Sequence, residues 1–554
     1  MNKKGLIFFI IIVAFFVSRF FGIGQMYHQD EYRWATIANP IFENGTAPHP
    51  PFTKYLLRVT GDLLGYDNLR FATLLFGFFN LLLVYQIIKK IAPGAKAALI
   101  GSFLYVISVY SAIANLQIDI DGAFLPFFVL LTYYAYLRIP NRKGLMWSVI
   151  FTAGIIGGFL TKESFVLFLG ALAIDYSLSI YESQGFNLKK FTLKIAKFVG
   201  PIVLIGLAFY YLYLSRSEYM IEYLRHFNSL NFGSRAYFEL GFKILKSFVW
   251  LSPLLLLPVI GGIFNRAFLR KYRFWYLYLG VNLIFYLVLF DFTTLTVERY
   301  FMFWIIPSII ISSEIILRMI DGIEFRKNYL KYISAGSLFI GISFFILSAT
   351  SVVLPLNPKE AYVNHIKSLD FNFLLPLTGG SGPIGFYFSA QFILWMWLSG
   401  IFLLGGALFF RKARIYLGII FVIFGVGYNL IFLNEYLFGT LFGSVPTVAR
   451  ASVDYVRDNP NIGSVITYYD IGAYYLRLAD KYEARFYTAP SRDYTVRMNA
   501  YRGYYMIVDF PAIDKQGKYW SFFENCRLEK KFVDKYVESY IFDCSDKTIR
   551  KNTQ

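Results

Sequence analysis

Charged residues are scarce in this chain. Only 16% of its 554 residues are Asp, Glu, Lys or Arg, against 57% hydrophobic, where a soluble protein carries about 25% charged. So little polar side chain cannot cover so much apolar surface. That excludes a string of water-facing domains and indicates an α-helical polytopic membrane protein. Cysteine is limited to Cys526 and Cys544, both near the C-terminus. Neither has metal spacing or a catalytic context, so they are a disulfide or two unpaired thiols, depending on which side of the membrane the tail occupies. Histidine is also rare: His28, His49, His226 and His365, with no i, i+4 pair. Internal repeats, low-complexity linkers and coiled-coil heptads are absent, which argues against solenoids and long coiled coils.

Aromatic residues are abundant, with 60 Phe and 44 Tyr, as suits lipid contact and interfacial belts. The net charge of +19 would suit nucleic acid in a soluble protein. In a membrane protein, basic residues first report orientation, and no nucleic-acid partner is expected. Met1-Asn2-Lys3-Lys4 and the apolar run 5–24 resemble a signal sequence, but the run is long and lacks a small-x-small site, so it reads as an uncleaved first span. Spanning-length apolar stretches follow at 71–88, 97–114, 122–137, 144–160, 164–181, 198–214, 244–263, 274–290, 301–317, 332–353, 389–410 and 415–433. About thirteen transmembrane helices are therefore expected.

The charges orient them. With the N-terminus inside, the inner segments hold 23 Lys/Arg in 62 residues and the outer segments between spans 12 in 130, a density ratio of about four. Acidic residues run the other way, 15 outside and three inside, and all four histidines are outside. The expected placement is thus an integral protein of the inner or plasma membrane with a cytoplasmic N-terminus. A membrane domain over 1–433 is followed by a small extracytoplasmic α/β domain over 434–554. In that tail Val445–Asp458 has helical spacing ended by Asn459-Pro460, and Ser464–Tyr469, Tyr504–Phe510 and Tyr540–Cys544 are strand candidates. On an oxidising side, Cys526–Cys544 is a plausible staple.

Chemistry concentrates on the outer face. The first outer loop reads His28-Gln29-Asp30-Glu31-Tyr32, then Pro48-His49-Pro50-Pro51-Phe52-Thr53-Lys54-Tyr55. A carboxylate at the membrane–water boundary is partly desolvated, which suits a general base; the competing reading is that Asp30 or Glu31 caps the next helix. Asp119 and Asp121 form a second acidic pair in a short turn, where one would cap the following span and the other orient a hydroxyl or hold a cation. Lys162, in Thr161-Lys162-Glu163-Ser164, and Arg299, in Val297-Glu298-Arg299-Tyr300, oppose the positive-inside bias. Each either snorkels to the interface or binds an anion such as a lipid phosphate. A donor with a phosphate leaving group needs cations at the phosphate, and an incoming hydroxyl needs a carboxylate base.

The Asp30-Glu31 pair after span one, His49-Pro50-Pro51, Asp119/Asp121, Thr161-Lys162 and Arg299-Tyr300 followed by Pro307 together resemble the polytopic GT-C glycosyltransferases, in particular the protein O-mannosyltransferase and aminoarabinose lipid A transferase group. The resemblance covers residues 1 to about 433. It implies a hexosyl- or pentosyltransferase that takes sugar from a polyprenyl-phosphate-linked donor and passes it to an extracytoplasmic acceptor on lipid, envelope glycan or protein. It further implies Asp30 as catalytic carboxylate with Glu31 beside it, and Lys162 and Arg299 near the donor phosphate. Lys54 and Arg58, on an amphipathic helix after Pro51, are secondary candidates for the same task. The turn Gln117-Ile118-Asp119-Ile120-Asp121 departs from the family pattern, which leaves open which aspartate corresponds.

Other readings stay in view. His28, Asp30, Glu31 and His49 offer N and O ligands to a divalent cation, against interfacial histidines bonded to loop backbone. Asn44-Gly45-Thr46 is a sequon or simply a turn. Loop 354–388, with Thr378-Gly379-Gly380-Ser381-Gly382-Pro383, is a mobile gate or a plain connector. A lipid or glycan transporter would place its ionisable residues at mid-bilayer in repeated halves. Arg19 and Lys246 fall within spans, but near their ends, where long side chains snorkel. A scaffold that binds partners through the tail is the remaining class.

Overall fold

The computed structural model describes residues 3–42, 49–92, 94–140, 144–184, 188–212, 237–289, 298–320, 329–354, 360–377, 385–410, 413–468, 470–486, 505–509, 520 and 523–545. The first half is helical: α1 (Lys3–Ile23), α2 (Asp30–Ala38), α3 (Phe52–Leu64), α4 (Arg70–Ile91), α5 (Ala95–Ile107), α6 (Val109–Leu116), α7 (Leu125–Tyr136), α8 (Gly144–Thr161), α9 (Phe165–Gln184) and α10 (Leu188–Leu212). Then come α11 (Tyr237–Ile263), α12 (Arg266–Lys271), α13 (Arg273–Ile284), α14 (Ile305–Ile320), α15 (Tyr329–Ala349), α16 (Glu360–Lys367), α17 (Ala390–Phe409) and α18 (Arg414–Phe438).

Among the described residues nine helices are long and apolar enough to cross a membrane, or ten if the bent pair α5–α6 counts as one span. The other three expected spans fall on shorter apolar helices, Ile120–Tyr136, Arg273–Val288 and Ile333–Ala349. Thirteen is therefore not reached by length alone. The chain packs as two compact units. One comprises Met1–Phe20, Ile37–Phe325 and Gly400–Gly425; the other Phe21–Thr36, Arg326–Ser399 and Val426–Gln554.

In the first unit, local chemistry sets the helix breaks. α5 and α6 meet at 64° around Ser108, whose hydroxyl accepts from the Ser111 backbone N–H and so starts α6. The bend frees carbonyls at the end of α5. Arg19 from α1 meets them, donating to Val106 O at 2.5 Å and Tyr105 O at 3.2 Å. Its guanidinium also lies over the Phe15 ring. Arg19 is 0% exposed, which corrects the snorkelling expectation: the side chain turns inward because a helix end there offers acceptors that lipid cannot. In α11 the break falls at Ser252, non-helical and followed by Pro253, since proline disfavours the helical region for the residue before it.

Further ion pairs tie helices together. Glu314 of α14, fully buried, accepts from Lys271 Nζ and Tyr272 Oη, both at 2.5 Å, and from Arg318 Nε at 3.0 Å. Arg273 at the start of α13 donates to Asp175 at 2.8 Å and Glu182 at 2.9 Å on α9. These basic residues lie in the segments expected to be inner.

The second unit contains two sheets. In the smaller, β1 (Val352–Val353) runs parallel to β2 (Phe373–Leu377), which pairs antiparallel with β3 (Phe386–Ser389). With α16, this structure occupies part of what the sequence suggested was a connector; the gate residues 378–383 lie outside the described residues. The larger sheet has the order β5-β4-β6-β8-β7, from β4 (Val465–Tyr468), β5 (Tyr482–Phe486), β6 (Tyr505–Asp509), β7 (Arg527–Asp534) and β8 (Val537–Asp543). β4 is parallel to β5 and β6, and β8 is antiparallel to β6 and β7. α19 (Val445–Asp458) starts at Ser444, whose side chain accepts from Thr447 N, and packs on the β7–β8 hairpin. A short α20 (Ala473–Leu478) follows β4. Cys526 and Cys544 form a disulfide, with Cα atoms 4.8 Å apart, between the entry to β7 and the exit from β8.

Candidate active site

The turn joining α6 to α7 is the centre of the first unit's polar chemistry. Asp119 has extended backbone and accepts from Asp121 N at 3.2 Å, starting a single π-helical turn, Ile120–Phe124. Gly122 in that turn lies so close to α6 that a Cβ would fall 2.6 Å from the Ala114 carbonyl oxygen. Asn80 of α4 donates to Ala123 O at 2.9 Å and further fixes the turn. Asp119 is therefore the capping aspartate.

Asp121 is the one that holds a cation. Lys162 Nζ donates to both its carboxylate oxygens, at 2.7 and 2.6 Å. Lys162 is 6% exposed, and its ammonium also lies 4.9 Å from the centroid of the Tyr300 ring. Position follows from the hairpin of helices: α8 ends at Thr161, whose hydroxyl donates to Gly157 O, and α9 opens at Phe165. Gly158 permits this tight return, since a Cβ there would meet the Phe165 ring at 2.5 Å. Glu163 in the same turn lies 3.6 Å from His49 Nδ1. Beside the pair is a small cavity of about 20 Å³, lined by Asp121, Ser164, Asn282 and Tyr300 and as much by apolar Leu125, Phe165, Phe168 and Phe303. A buried ion pair gains little net stability once desolvation is counted. Its effect here is to hold an ammonium and a carboxylate at fixed positions on an aromatic-walled space.

The remaining basic candidates differ. Thr53, Leu57 and Gly61 form the buried side of α3, the amphipathic helix expected after Pro51. Lys54 is half-buried and Arg58 exposed, and neither makes an ion pair or hydrogen bond among the described residues. Arg299 belongs to a 3-10 turn, Glu298–Trp304, but its side chain lies outside the described residues, as do His226 and Asn44-Gly45-Thr46.

In the second unit, Asp30 and Glu31 form the first turn of α2, where the free N–H groups favour negative charge. Gln29 before them has φ 46°, and Glu31 N donates to His28 O at 3.0 Å. Asp30 is half-buried; Glu31 is 0% exposed. Tyrosines on either side dock on the tail: Tyr27 packs at 5.4 and 5.9 Å from Tyr474 and Tyr475, and Tyr32 at 5.3 Å from Tyr482. Arg477 donates to Tyr32 Oη at 3.3 Å, and Arg450 donates to Gly24 O. Sequence reasoning overlooked these tyrosines. The available signal was Tyr27 and Tyr32 bracketing the acidic pair. Their partners lie more than 400 residues away.

Among the described residues no three His, Cys, Asp or Glu side chains gather as a metal site. His28 and His49, offered as ligands, sit respectively at the start of α2 and against Glu163.

A model of the family described as dolichyl-phosphate-mannose-protein mannosyltransferase matches residues 48–211, the stretch that carries His49, Lys54, Arg58, Asp119, Asp121 and Lys162. No curated protein matches the chain by sequence. Among solved structures, ArnT from Cupriavidus metallidurans in the apo state is similar with TM-score 0.54 and 14% identity, over 98% of this chain and 97% of that one. The same protein bound to undecaprenyl phosphate gives 0.55 and 14%, over 100% of both chains. The Archaeoglobus fulgidus oligosaccharyltransferase in the apo form gives 0.48 and 12%, over 94% of this chain and 71% of that one. The likeness to ArnT establishes the fold: this chain is an integral membrane protein with the GT-C architecture.

Proposed function

We propose that the protein is a glycosyltransferase that moves a sugar from a polyprenyl-phosphate-linked donor to an acceptor outside the cytoplasm. The observation that carries this reading is Lys162, a buried ammonium paired to Asp121, within the segment that matches the mannosyltransferase model. The ArnT structure with undecaprenyl phosphate supports a lipid phosphate as the donor's carrier.

In this scheme Lys162 takes the charge that develops on the phosphate as the bond from C1 to the phosphate oxygen breaks. Arg299 shares that task, and Lys54 and Arg58 attract the phosphate from the membrane surface. Asp30 accepts the acceptor hydroxyl's proton as its oxygen bonds to C1, so the anomeric configuration inverts. The phosphate leaves with the bonding electron pair and needs no general acid. Glu31, fully buried beside Asp30, positions it. The disulfide in the tail supports an oxidising, extracytoplasmic location for that domain, and so a cytoplasmic N-terminus.

The test is transfer of radiolabelled sugar from a panel of polyprenyl-phosphate monosaccharides in membranes expressing the protein, beside Asp30→Asn and Lys162→Ala. Label reaching an acceptor in the wild type alone is the expected result, with activity down by about 100-fold or more in each variant. Transfer by Asp30→Asn at the wild-type rate would remove Asp30 from the chemistry.

A further inference from the structure

One corner of the second unit breaks a local rule of helix endings. α16 closes on Ser368-Leu369-Asp370, where Leu369 N donates to Ile366 O at 3.1 Å and Asp370 N to His365 O at 2.9 Å. These two bonds make a Schellman ending, whose left-handed residue is usually glycine. Here it is Leu369, at φ 58°, a backbone conformation that a side chain disfavours. The leucine is also 79% exposed. In water neither property would stabilise the fold.

The polar groups of the turn are bonded within it. Asp370 accepts from Asn372 N at 2.9 Å and lies 2.8 Å from His365 Nδ1, while Ser368 Oγ donates to Asn364 O and His365 O, both at 3.0 Å. Leu369 is left as an apolar tip. Ile366, 37% exposed, lies one turn earlier. Lys367 between them is exposed, with a stem long enough to reach a headgroup layer.

α15 fixes where this tip stands. Its apolar stretch Ile333–Ala349 exposes Leu338, Ile342 and Ile346 at successive i+4 positions, the side that a membrane helix turns to lipid. Thr350 is the next such position, just past the helix end, and its hydroxyl donates to Asn372 Oδ1 at 3.3 Å. Val352, 51% exposed, donates its N–H to Asn372 O at 3.1 Å. The turn that carries Leu369 is thus tied to the end of the lipid-facing side of α15, where hydrocarbon gives way to headgroups.

We propose that this turn anchors the small sheet in the bilayer, with Leu369 and Ile366 entering the acyl boundary of the leaflet at that end of α15 and Lys367 reaching the headgroups. Burial of the leucine in lipid offsets its left-handed backbone. The anchor is independent of the transfer chemistry.

Nitroxide accessibility of the full-length protein in liposomes tests it. The chain's two cysteines are joined to each other in the tail, so Leu369→Cys takes label at one site. Ile346→Cys on α15 is the hydrocarbon reference. Gly463→Cys, exposed in the tail where a Cβ meets nothing within 4 Å, is the aqueous one. The label at 369 should collide with oxygen more often than the label at 463. Its collisions with a water-soluble nickel chelate should be at least about threefold fewer, as for a group seated about 5–10 Å into the interface. Nickel collisions at 369 as frequent as at 463 overturn the proposal. So does a label shielded from both quenchers, because protein rather than lipid would then cover the turn. Should Leu369→Cys fail to reconstitute, Ile366→Cys, on the regular helical turn before it, is read against the same two references.

Discussion

Lys162 shows what a single buried residue commits a structure to. Removing Asp121's charge takes from the buried Lys162 ammonium the carboxylate it pairs with. Asp121→Asn should therefore destabilise the fold by about 3–5 kcal/mol, the cost of breaking a buried pair from one side. Thermal unfolding in detergent measures it, and a midpoint within a degree of wild type would refute the strength assigned to the pair. Much of this site was legible in the sequence, because a lysine in a tight turn opposed the charge bias of its side and shared that side with an acidic pair in another tight turn. Which aspartate capped and which paired was not legible, since both choices satisfy the same spacing and only the path of α6 and α7 decides. A second residue-scale case lies outside the membrane. Asp370 accepts from Asn372 N and pairs with His365, and these bonds hold its carboxyl below the usual carboxylate range. Its folded value is depressed, so its stabilisation is present above the unfolded value of about 3.9 and fades as pH falls through the folded one. In Asp370→Asn that component of the acid-induced loss of stability should disappear.

At the scale of elements, breaks carry more information than helices. The bend between α5 and α6 depends on Arg19 closing two carbonyls. Arg19→Met should leave them unsatisfied in a water-poor interior, at about 1–3 kcal/mol each, and also shift the acidic turn that α6 leads into. A melting-temperature loss with transfer activity reduced further than the lost folded fraction explains would show both effects; an unperturbed variant would show neither. Arg19 was misread from the sequence because proximity to a span end says nothing about which way the side chain turns. The tail's strands teach a related lesson. β4, β6 and β8 form the centre of their sheet and showed as apolar runs. β5 and β7 are its edges, and their charged sequences, Tyr-Glu-Ala-Arg-Phe and Arg-Leu-Glu-Lys-Lys-Phe-Val-Asp, are what protects an edge from further pairing. β2 hid for another reason. Its Pro376 reads as a strand breaker, but among the described residues β1 pairs with Phe373 and Leu374, short of that proline.

For the whole molecule, the unit boundaries differ from a division at residue 433. The acidic turn of the first outer loop belongs with the tail, held by Tyr27, Tyr32 and their partners. Tyr32→Ala should thus lower transfer without touching a reacting group, and Tyr32→Phe, which keeps the ring, should restore most of it; equal defects in both would assign the effect to the Arg477 hydrogen bond instead. The Cys526–Cys544 link closes an 18-residue separation and should stabilise the tail by about 3 kcal/mol. Reductant should accordingly lower the tail's melting temperature.

That same docking imposes an order on the protein's birth. Tyr32 and Arg477, joined in the finished fold, are 445 residues apart in the chain. At about 5–20 residues per second, translation separates them by roughly 20–90 seconds. During that interval the acidic turn has been made and every membrane helix inserted, but the surface it rests on has yet to be synthesised. A nascent or prematurely terminated chain therefore carries its acidic turn without the tyrosines and Arg477 that hold it, and under the proposed chemistry full competence to cleave the lipid-linked sugar waits for the tail.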